Sequence, residues 1–196
     1  LVNMNINKAV DIGILANYEI KVLEVEMSNK KDVQAGNKDN RFMTSERKNY
    51  EYLTKVVQAS IFQNRKDRQF RILNRMHFIK NSKSKLEAAK YLLNKIEGRT
   101  LIFCGNIKQA EELCEYTYHS KTDNKDYQDF QNGTINRIAM VNAGGLGHTY
   151  KKLDNLVITQ ADSNKNGSIS QKASRTLLSQ KDYKATIWII SLIGTQ

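Results

Sequence analysis

The second half of the chain alternates short apolar segments with segments of helical periodicity, and this alternation is the strongest constraint on its fold. The apolar segments read as strands and lie at 100–104, 137–141, 156–159 and 186–192. The helical patterns lie between them, at 107–116, 126–131 and 170–180. Strands that alternate with helices are typical of a parallel sheet, because parallel strands need long crossover connections. The sequence therefore predicts an α/β fold.

The first half of the chain has a different pattern. Residues 18–27 alternate polar and apolar side chains, which indicates a strand, and the polar residues 28–41 indicate a loop. Three helical patterns follow before residue 97, and the second carries Phe70 on its apolar face. We therefore expect a mainly helical segment between the first strand and the alternating half.

The positive charge is concentrated in one part of the chain. The 196 residues contain 31 Lys and Arg against 20 Asp and Glu, a net charge of +11. Between Lys30 and Lys85 there are 15 basic and 5 acidic residues, so this segment carries +10 of the total. Such a basic segment is typical of a protein that binds a polyanion, usually a nucleic acid. The alternative is a solvated helical face without a ligand.

Composition narrows the class of protein further. No apolar run approaches the roughly 18 residues that a membrane helix needs, so no membrane partner is expected. Two cysteines fit a reducing compartment, and we expect a cytoplasmic location. Cys104 has no base or metal partner in the pattern and is interpreted as a small core residue. The three histidines lie far apart in sequence, so no metal site is predicted.

Four segments of the second half follow one another in a familiar order. They are TLIFCGNIKQAEEL at 100–113, FQNG at 130–133, NAGGLGHT at 142–149 and QKASRTLL at 171–178. The series resembles motifs IV, V and VI of the second RecA-like domain of superfamily 2 helicases, closest to the Swi/Snf-type and phage branches. The resemblance implies a RecA-like parallel sheet flanked by helices over residues 1–196, with motifs IV to VI at about 100–178. It also implies that the basic segment, about 28–84, is a helical insertion.

The same resemblance implies a motor in which ATP binds between two domains. The chain has no phosphate loop of the form G-x-x-x-x-G-K-[ST], and no Asp-Glu pair follows an apolar strand as a magnesium site would require. In superfamily 2 both features belong to the first RecA-like domain. The resemblance therefore implies ATP with Mg²⁺, held mainly by that N-terminal domain as a partner of this one. It further implies a DNA or RNA substrate, and host cytoplasm for a phage-encoded protein.

A glycine-rich stretch follows the strand predicted at 137–141 and contains Gly144, Gly145 and Gly147. Glycines at the end of a strand let backbone N–H groups approach an anion closely. By the resemblance, Gly145 and Gly147 contact the nucleotide, whereas Gly144 and the hydroxyl of Thr149 contact the nucleic-acid backbone. The alternative is a tight turn without a ligand.

Arg175 and Gln171 are predicted to share a helix face because they are four residues apart. The resemblance implies that Arg175 stabilises charge on the γ-phosphate in the transition state and that Gln171 orients it. Two positions depart from the family pattern, since Ser174 replaces a glycine and Leu178 replaces a second arginine. The alternative role for Arg175 is a surface ion pair.

Four arginines of the basic segment are candidates for a track along a nucleic-acid backbone: Arg65, Arg68, Arg71 and Arg75. Contacts with phosphates would be independent of sequence and would weaken steeply with salt. Tyr50, Tyr52 and Phe70 are candidates for base stacking, although Tyr50 and Phe70 lie on apolar faces and are expected in the core.

The main prediction is thus the C-terminal half of an ATP-dependent DNA helicase or translocase, inactive without its first domain. Two other functions fit the same residues. One is a non-catalytic nucleic-acid-binding module that keeps a degenerate helicase fold, which Leu178 favours. The other is an interaction domain whose basic face meets an acidic protein.

Overall fold

The computed structural model describes residues 17–37, 39–141, 152–160 and 184–195. These residues form two units. Unit 1 is built from the described parts of Leu1–Leu23 and Ala88–Ser191, and unit 2 from those of Glu24–Glu87 and Leu192–Gln196. The unit boundaries fall inside three elements: strand β1, Asn17–Val25; helix α3, Lys83–Leu93; and strand β8, Lys184–Leu192.

A six-stranded sheet organises unit 1. Its strands lie in the order β1-β8-β7-β4-β6-β5, where β4 is Thr100–Cys104, β5 is Thr117–Tyr118, β6 is Arg137–Val141 and β7 is Asn155–Ile158. The pairs β5 with β6, β6 with β4, β4 with β7 and β7 with β8 are all parallel. The parallel pairing confirms the predicted α/β sheet.

The strands at the middle of this sheet are buried along their whole length. All five residues of β4 and all four residues of β7 are buried, so these strands show no alternation of polar and apolar positions. Continuous burial is expected for parallel strands that are covered on both faces. Leu101, Ile138 and Leu156, one from each of β4, β6 and β7, lie in one core cluster with Phe130.

Two short helices follow strands of the sheet. Helix α4, Ile107–Leu113, begins after Asn106, whose side-chain oxygen accepts the backbone N–H of Gln109 at 2.9 Å. Helix α5, Lys125–Asn132, ends at Gly133, whose positive φ of 80° is typical of a glycine that terminates a helix. The parallel strands and the helices between them confirm the predicted fold class, an α/β sheet flanked by helices.

Unit 2 contains the basic helical segment and a hairpin. Its elements are helix α1, Glu46–Phe62; helix α2, Arg68–Lys80; strand β2, Val33–Asn37; and strand β3, Asn40–Thr44. Helix α1 begins after Ser45, whose hydroxyl oxygen accepts the N–H of Lys48 at 3.2 Å. This cap satisfies one of the N–H groups that the first turn of a helix leaves without a partner.

The hairpin shows that the loop predicted at 28–41 is wrong from Val33 onwards, whereas residues 28–32 belong to no helix or strand. Strands β2 and β3 pair antiparallel, and the ladder ends where Asn37 faces Asn40. Gly36 has a φ of 98°, and a Cβ there would lie 1.9 Å from the backbone oxygen of Asn40, so the turn needs glycine. The prediction failed because four of the five residues of β3 are exposed, which leaves no apolar alternation to read.

The core of unit 2 is small. Met27, Tyr50 and Leu192 are buried together, with Phe78 and Ile79 packed against them. The burial of Tyr50 confirms that it is a core residue. Within the described ranges, no helix is both long and apolar enough to cross a membrane.

Candidate functional site

The carboxyl ends of three adjacent strands form one edge of unit 1. Strand β4 lies between β7 and β6, with Cys104 opposite Val141 and Phe103 opposite Ile158. After β4 the chain passes to β5 on one side of the sheet, whereas after β7 it passes to β8 on the other. Open α/β sheets bind their ligands outside the carboxyl ends of strands where the connections diverge in this way. This edge is therefore the candidate site of unit 1.

A buried cluster of neutral polar groups lies at this edge. The side-chain oxygen of Gln109 accepts the N–H of Gly105 at 2.9 Å and the hydroxyl of Thr159 at 3.0 Å. The carbonyl oxygen of Phe103 lies 3.0 Å from the same hydroxyl and accepts the N–H of Thr159 at 3.1 Å. Because Gln109 and Thr159 are both buried, these bonds fix the loop after β4 to the end of β7.

Gly105 allows a second glutamine to approach this loop. A Cβ at position 105 would lie 2.1 Å from the side-chain oxygen of Gln160, so a larger residue would push that amide away. Gln160 is itself buried. The amide and hydroxyl groups of this edge are neutral, so they carry no charge to neutralise a phosphate.

None of Gln109, Thr159 and Gln160 is among the predicted site residues. A signal existed for Gln109, because Asn106 followed three residues later by Gln109 is the pattern of a helix cap with a reciprocal side chain. Thr159 and Gln160 have no such local signal. Their contacts with the loop depend on the pairing of β7 with β4. These strands are distant in sequence, since the paired residues Thr100 and Asn155 are 55 residues apart.

Cys104 ends strand β4 as a buried thiol. Burial raises its pKa to about 12, with a smaller contribution from the neighbouring Cys114. The thiol therefore stays protonated at neutral pH and is not a nucleophile. Its burial confirms the interpretation of Cys104 as a core residue.

All of the predicted catalytic and nucleotide-binding residues, and two of the predicted nucleic-acid contacts, lie outside the described residues. They are Gly144, Gly145, Gly147, Thr149, Gln171 and Arg175, together with the departures Ser174 and Leu178. Their roles stay predictions. The described strands β6 and β7 end at Val141 and Ile158, which precede the two segments that carry them.

Three of the four predicted arginines lie around the start of α2 in unit 2. Asp67 accepts a bond from Nε of Arg65 at 3.2 Å and from Nε of Arg71 at 2.8 Å, and Arg68 donates to the side chain of Asn64 at 2.9 Å. The hydrogen bond from Arg71 is the main reason that the pKa of Asp67 lies below its ordinary value of 3.8. Two guanidinium groups bind this one carboxylate and Arg68 does not, so the three arginines and Asp67 together keep a net positive charge.

The fourth arginine, Arg75, lies between α1 and α2. Its Nε donates to the hydroxyl of Thr54 at 3.0 Å, and a terminal nitrogen donates to the hydroxyl of Tyr50. The guanidinium carbon also lies 4.9 Å from the centre of the Tyr50 ring. Arg75 therefore joins the two helices, and the assignment of all four arginines to a nucleic acid stays a prediction.

Phe70 is not in the core, contrary to expectation. Its side chain is 72% exposed, and that of Tyr52 on α1 is 63% exposed. The physical reason is that α2 has no buried residue at all, so its apolar positions are covered on one side only. Both rings are accessible to a ligand.

Two comparisons of sequence and one of structure set this chain beside known proteins. No protein-family model matches it, and no curated protein matches it. A DEAD box protein from the hyperthermophile Methanococcus jannaschii is similar in structure, with 18% identity and a TM-score of 0.46 over 56% of this chain and 33% of that chain. The C-terminal part of the Fun30 ATPase domain is similar with 16% identity and a TM-score of 0.47, over 77% and 52%. This chain thus spans between a third and about half of their lengths, and both TM-scores are too low to support a function.

Proposed function

We propose that this chain is the second RecA-like domain of an ATP-dependent DNA helicase or translocase of superfamily 2. The observation that carries this proposal is the order of strands β7-β4-β6. The carboxyl ends of β6 and β7 both lie beside the end of β4, the strand of the motif IV segment. In sequence, these two ends precede the segments that resemble motifs V and VI, at 142–149 and 171–178. Three motifs that serve one nucleotide and one nucleic acid need such a shared edge.

The proposed roles of the site residues follow the resemblance. Arg175 stabilises charge on the γ-phosphate of ATP, and Gln171 orients the arginine. Gly145 and Gly147 bring backbone N–H groups to the nucleotide. Gly144 and Thr149 contact the DNA backbone, so that the state of the nucleotide is coupled to the grip on DNA.

The described residues fit the part of ATP binding that this proposal gives them. Gly105, Gln109 and Thr159 supply neutral polar groups at the shared edge. Mg²⁺ prefers carboxylates together with phosphate oxygens, and the described parts of the chain contain no group of three or more His, Cys, Asp or Glu that could hold a metal. In this proposal the phosphate loop and the ligands of Mg²⁺ belong to the first domain, and this domain contributes the arginine.

Unit 2 contributes affinity for the DNA backbone in this proposal. The segment from Lys30 to Lys85 carries a net charge of +10. Arg65 and Arg71 both bind Asp67, and Arg68 binds the neutral Asn64, so this part of unit 2 keeps a net positive charge. Binding through such contacts does not depend on sequence and falls as the salt concentration rises.

The test is ATP hydrolysis by the full-length protein with and without DNA, for wild type, Arg175→Ala and a control. Lys172→Ala is the matched control, because it removes a neighbouring positive charge that the resemblance gives no role. We expect DNA-stimulated hydrolysis that falls by about 10³-fold or more in Arg175→Ala and stays at the wild-type rate in Lys172→Ala.

The other outcomes separate the alternatives. Stimulated hydrolysis that survives Arg175→Ala would contradict the role of Arg175 while keeping the motor. Absence of hydrolysis with DNA binding retained would favour the non-catalytic module, which Leu178 already suggests. Absence of both would favour an interaction domain for an acidic protein.

A further inference from the structure

A groove of about 880 Å³ lies within unit 2, between the β2–β3 hairpin and the helices α1 and α2. Its volume falls in the range of roughly 300–1,000 Å³ that is usual for pockets that hold small organic ligands. The hairpin forms one wall. The sequence did not predict the hairpin, so it could not predict the groove.

Three exposed aromatic rings line this groove, one from each wall. Phe42 belongs to β3, Tyr52 to α1 and Phe70 to α2, and their side chains are 55%, 63% and 72% exposed. A single exposed aromatic residue needs no explanation. Three exposed rings around one groove expose apolar area that the small core of unit 2 does not use, and they offer flat faces to a flat ligand.

The polar residues of the groove match a nucleotide in charge and hydrogen bonding. Lys48 and Arg71 supply positive charges, and Asn49 and Asn74 supply carboxamides that can pair with base edges. Asp67 is the carboxylate of the groove, and it binds both Arg71 at 2.8 Å and Arg65 at 3.2 Å, so the carboxylate and the two guanidinium groups together keep one positive charge. The groove therefore does not repel a phosphate, and the basic segment around it attracts one.

We propose that this groove binds unpaired nucleotides of a single-stranded nucleic acid, whose bases stack on Phe42, Tyr52 and Phe70 while Lys48 and Arg71 neutralise the backbone. Base faces are accessible only outside a duplex, so the rings select single strands. An acidic protein would satisfy the cations but leave the three rings in water, which makes it the poorer match. The inference deepens the proposed function by naming the form of nucleic acid. It rests on one part of that function, the binding of a nucleic acid, and does not require ATP hydrolysis.

The test measures binding of the full-length protein to fluorescent oligo(dT), oligo(U) and a DNA duplex of equal length by anisotropy. Phe70→Ala and Tyr52→Ala each remove one stacking ring. Phe62→Ala is the matched control, because this ring of α1 is 92% exposed and does not line the groove. Because all three rings are exposed, the variants should unfold at the same urea concentration as wild type.

We expect each groove variant to bind its single strand about 5- to 150-fold more weakly, which is the usual effect of losing one base–aromatic stack. Binding to the duplex and the behaviour of Phe62→Ala should not change. Tight binding of either oligo(dT) or oligo(U) supports the inference, and the comparison tells DNA from RNA. Lys48→Ala should lower the slope of log affinity against log salt by about 0.7 for a single strand.

The inference is overturned if Phe70→Ala binds single strands as wild type does, or if it weakens duplex and single strand equally. It is also overturned if poly-glutamate competes as well as oligo(dT) at equal charge, since the site would then respond to charge alone. These results leave the hydrolysis experiment with Arg175→Ala untouched. Conversely, absence of hydrolysis with groove-dependent binding would contradict the proposed motor but keep the groove.

Discussion

The two units of this chain differ in the contacts that stabilise each of them internally. In unit 1, strands β4, β6 and β7 are almost wholly buried, and eleven buried hydrophobic residues form one continuous cluster. In unit 2, three buried hydrophobic residues form the cluster and helix α2 buries none of its residues. Most of the apolar burial that stabilises a fold therefore belongs to the sheet.

Polar contacts join the elements of unit 2. Arg75 links the helices through Thr54 and Tyr50, and the buried carboxylate of Glu46 accepts the N–H of Ser28 at 3.3 Å and the hydroxyl of Ser84. Such bonds position elements, and a hydrogen bond to a charged group contributes about 1.5–3 kcal/mol net. The comparison teaches that unit 2 can keep charged side chains and aromatic rings on its surface, because its fold does not depend on burying them.

The largest expected effect comes from removing a buried ring of unit 1, and an exposed ring of unit 2 provides the comparison. Phe130→Ala in unit 1 should lower the free energy of unfolding by about 3–5 kcal/mol, because Phe130 is fully buried in the core cluster. Phe70→Ala in unit 2 should change it by no more than about 0.5 kcal/mol, because the side chain is largely exposed. Urea unfolding followed by circular dichroism measures both.

Labelling of Cys104 gives an independent measure for unit 1. Burial and a pKa raised to about 12 protect this thiol from alkylation in the folded protein. We expect Phe130→Ala to accelerate alkylation of Cys104 at pH 8 and Phe70→Ala to leave the rate unchanged. Equal losses of stability in the two variants would contradict the contrast between the units.

The same contrast explains how much of the fold the sequence could predict. The strands at 100–104 and 137–141 were predictable to the residue, because buried parallel strands are continuous apolar runs bounded by polar residues. The hairpin of β2 and β3 was not, because exposed strands carry no apolar alternation. Phe70 has the helical spacing of a core residue, but spacing cannot tell whether another element covers that face.

The candidate site was predictable in a similarly uneven way. Gln109 could have been found from its spacing to Asn106 at the start of α4. Thr159 and Gln160 could not, because their role depends on which strand lies beside β7. The groove of unit 2 could not be found either, since it exists only where the unpredicted hairpin meets α1 and α2.

An intermediate effect is expected at two glycines with positive φ. Gly133→Ala at the end of α5 should cost about 1–2 kcal/mol, because an alanine is disfavoured at a φ of 80° although nothing lies within 4 Å of its Cβ. Gly36→Ala should cost more, because its Cβ would also meet the backbone oxygen of Asn40 at 1.9 Å. Urea unfolding measures both, and amide exchange in β2 and β3 locates the damage of Gly36→Ala. A smaller cost at Gly36 than at Gly133 would show that the hairpin yields without strain.

The smallest expected effect concerns the exposed ion pair of unit 2. The hydrogen bond from Arg71, with the charge of Arg65, lowers the pKa of Asp67 below 3.8, so this pair stabilises the folded state at neutral pH and ceases to do so as pH falls through that lowered pKa. Arg71→Gln should move the pKa of Asp67 back towards 3.8 in a titration followed by NMR of the carboxyl carbon. Arg68→Gln is the control, because Arg68 donates to Asn64 and should leave that pKa unchanged. An equal response to both variants would mean that general positive charge, rather than the 2.8 Å bond, holds Asp67 ionised at the start of α2.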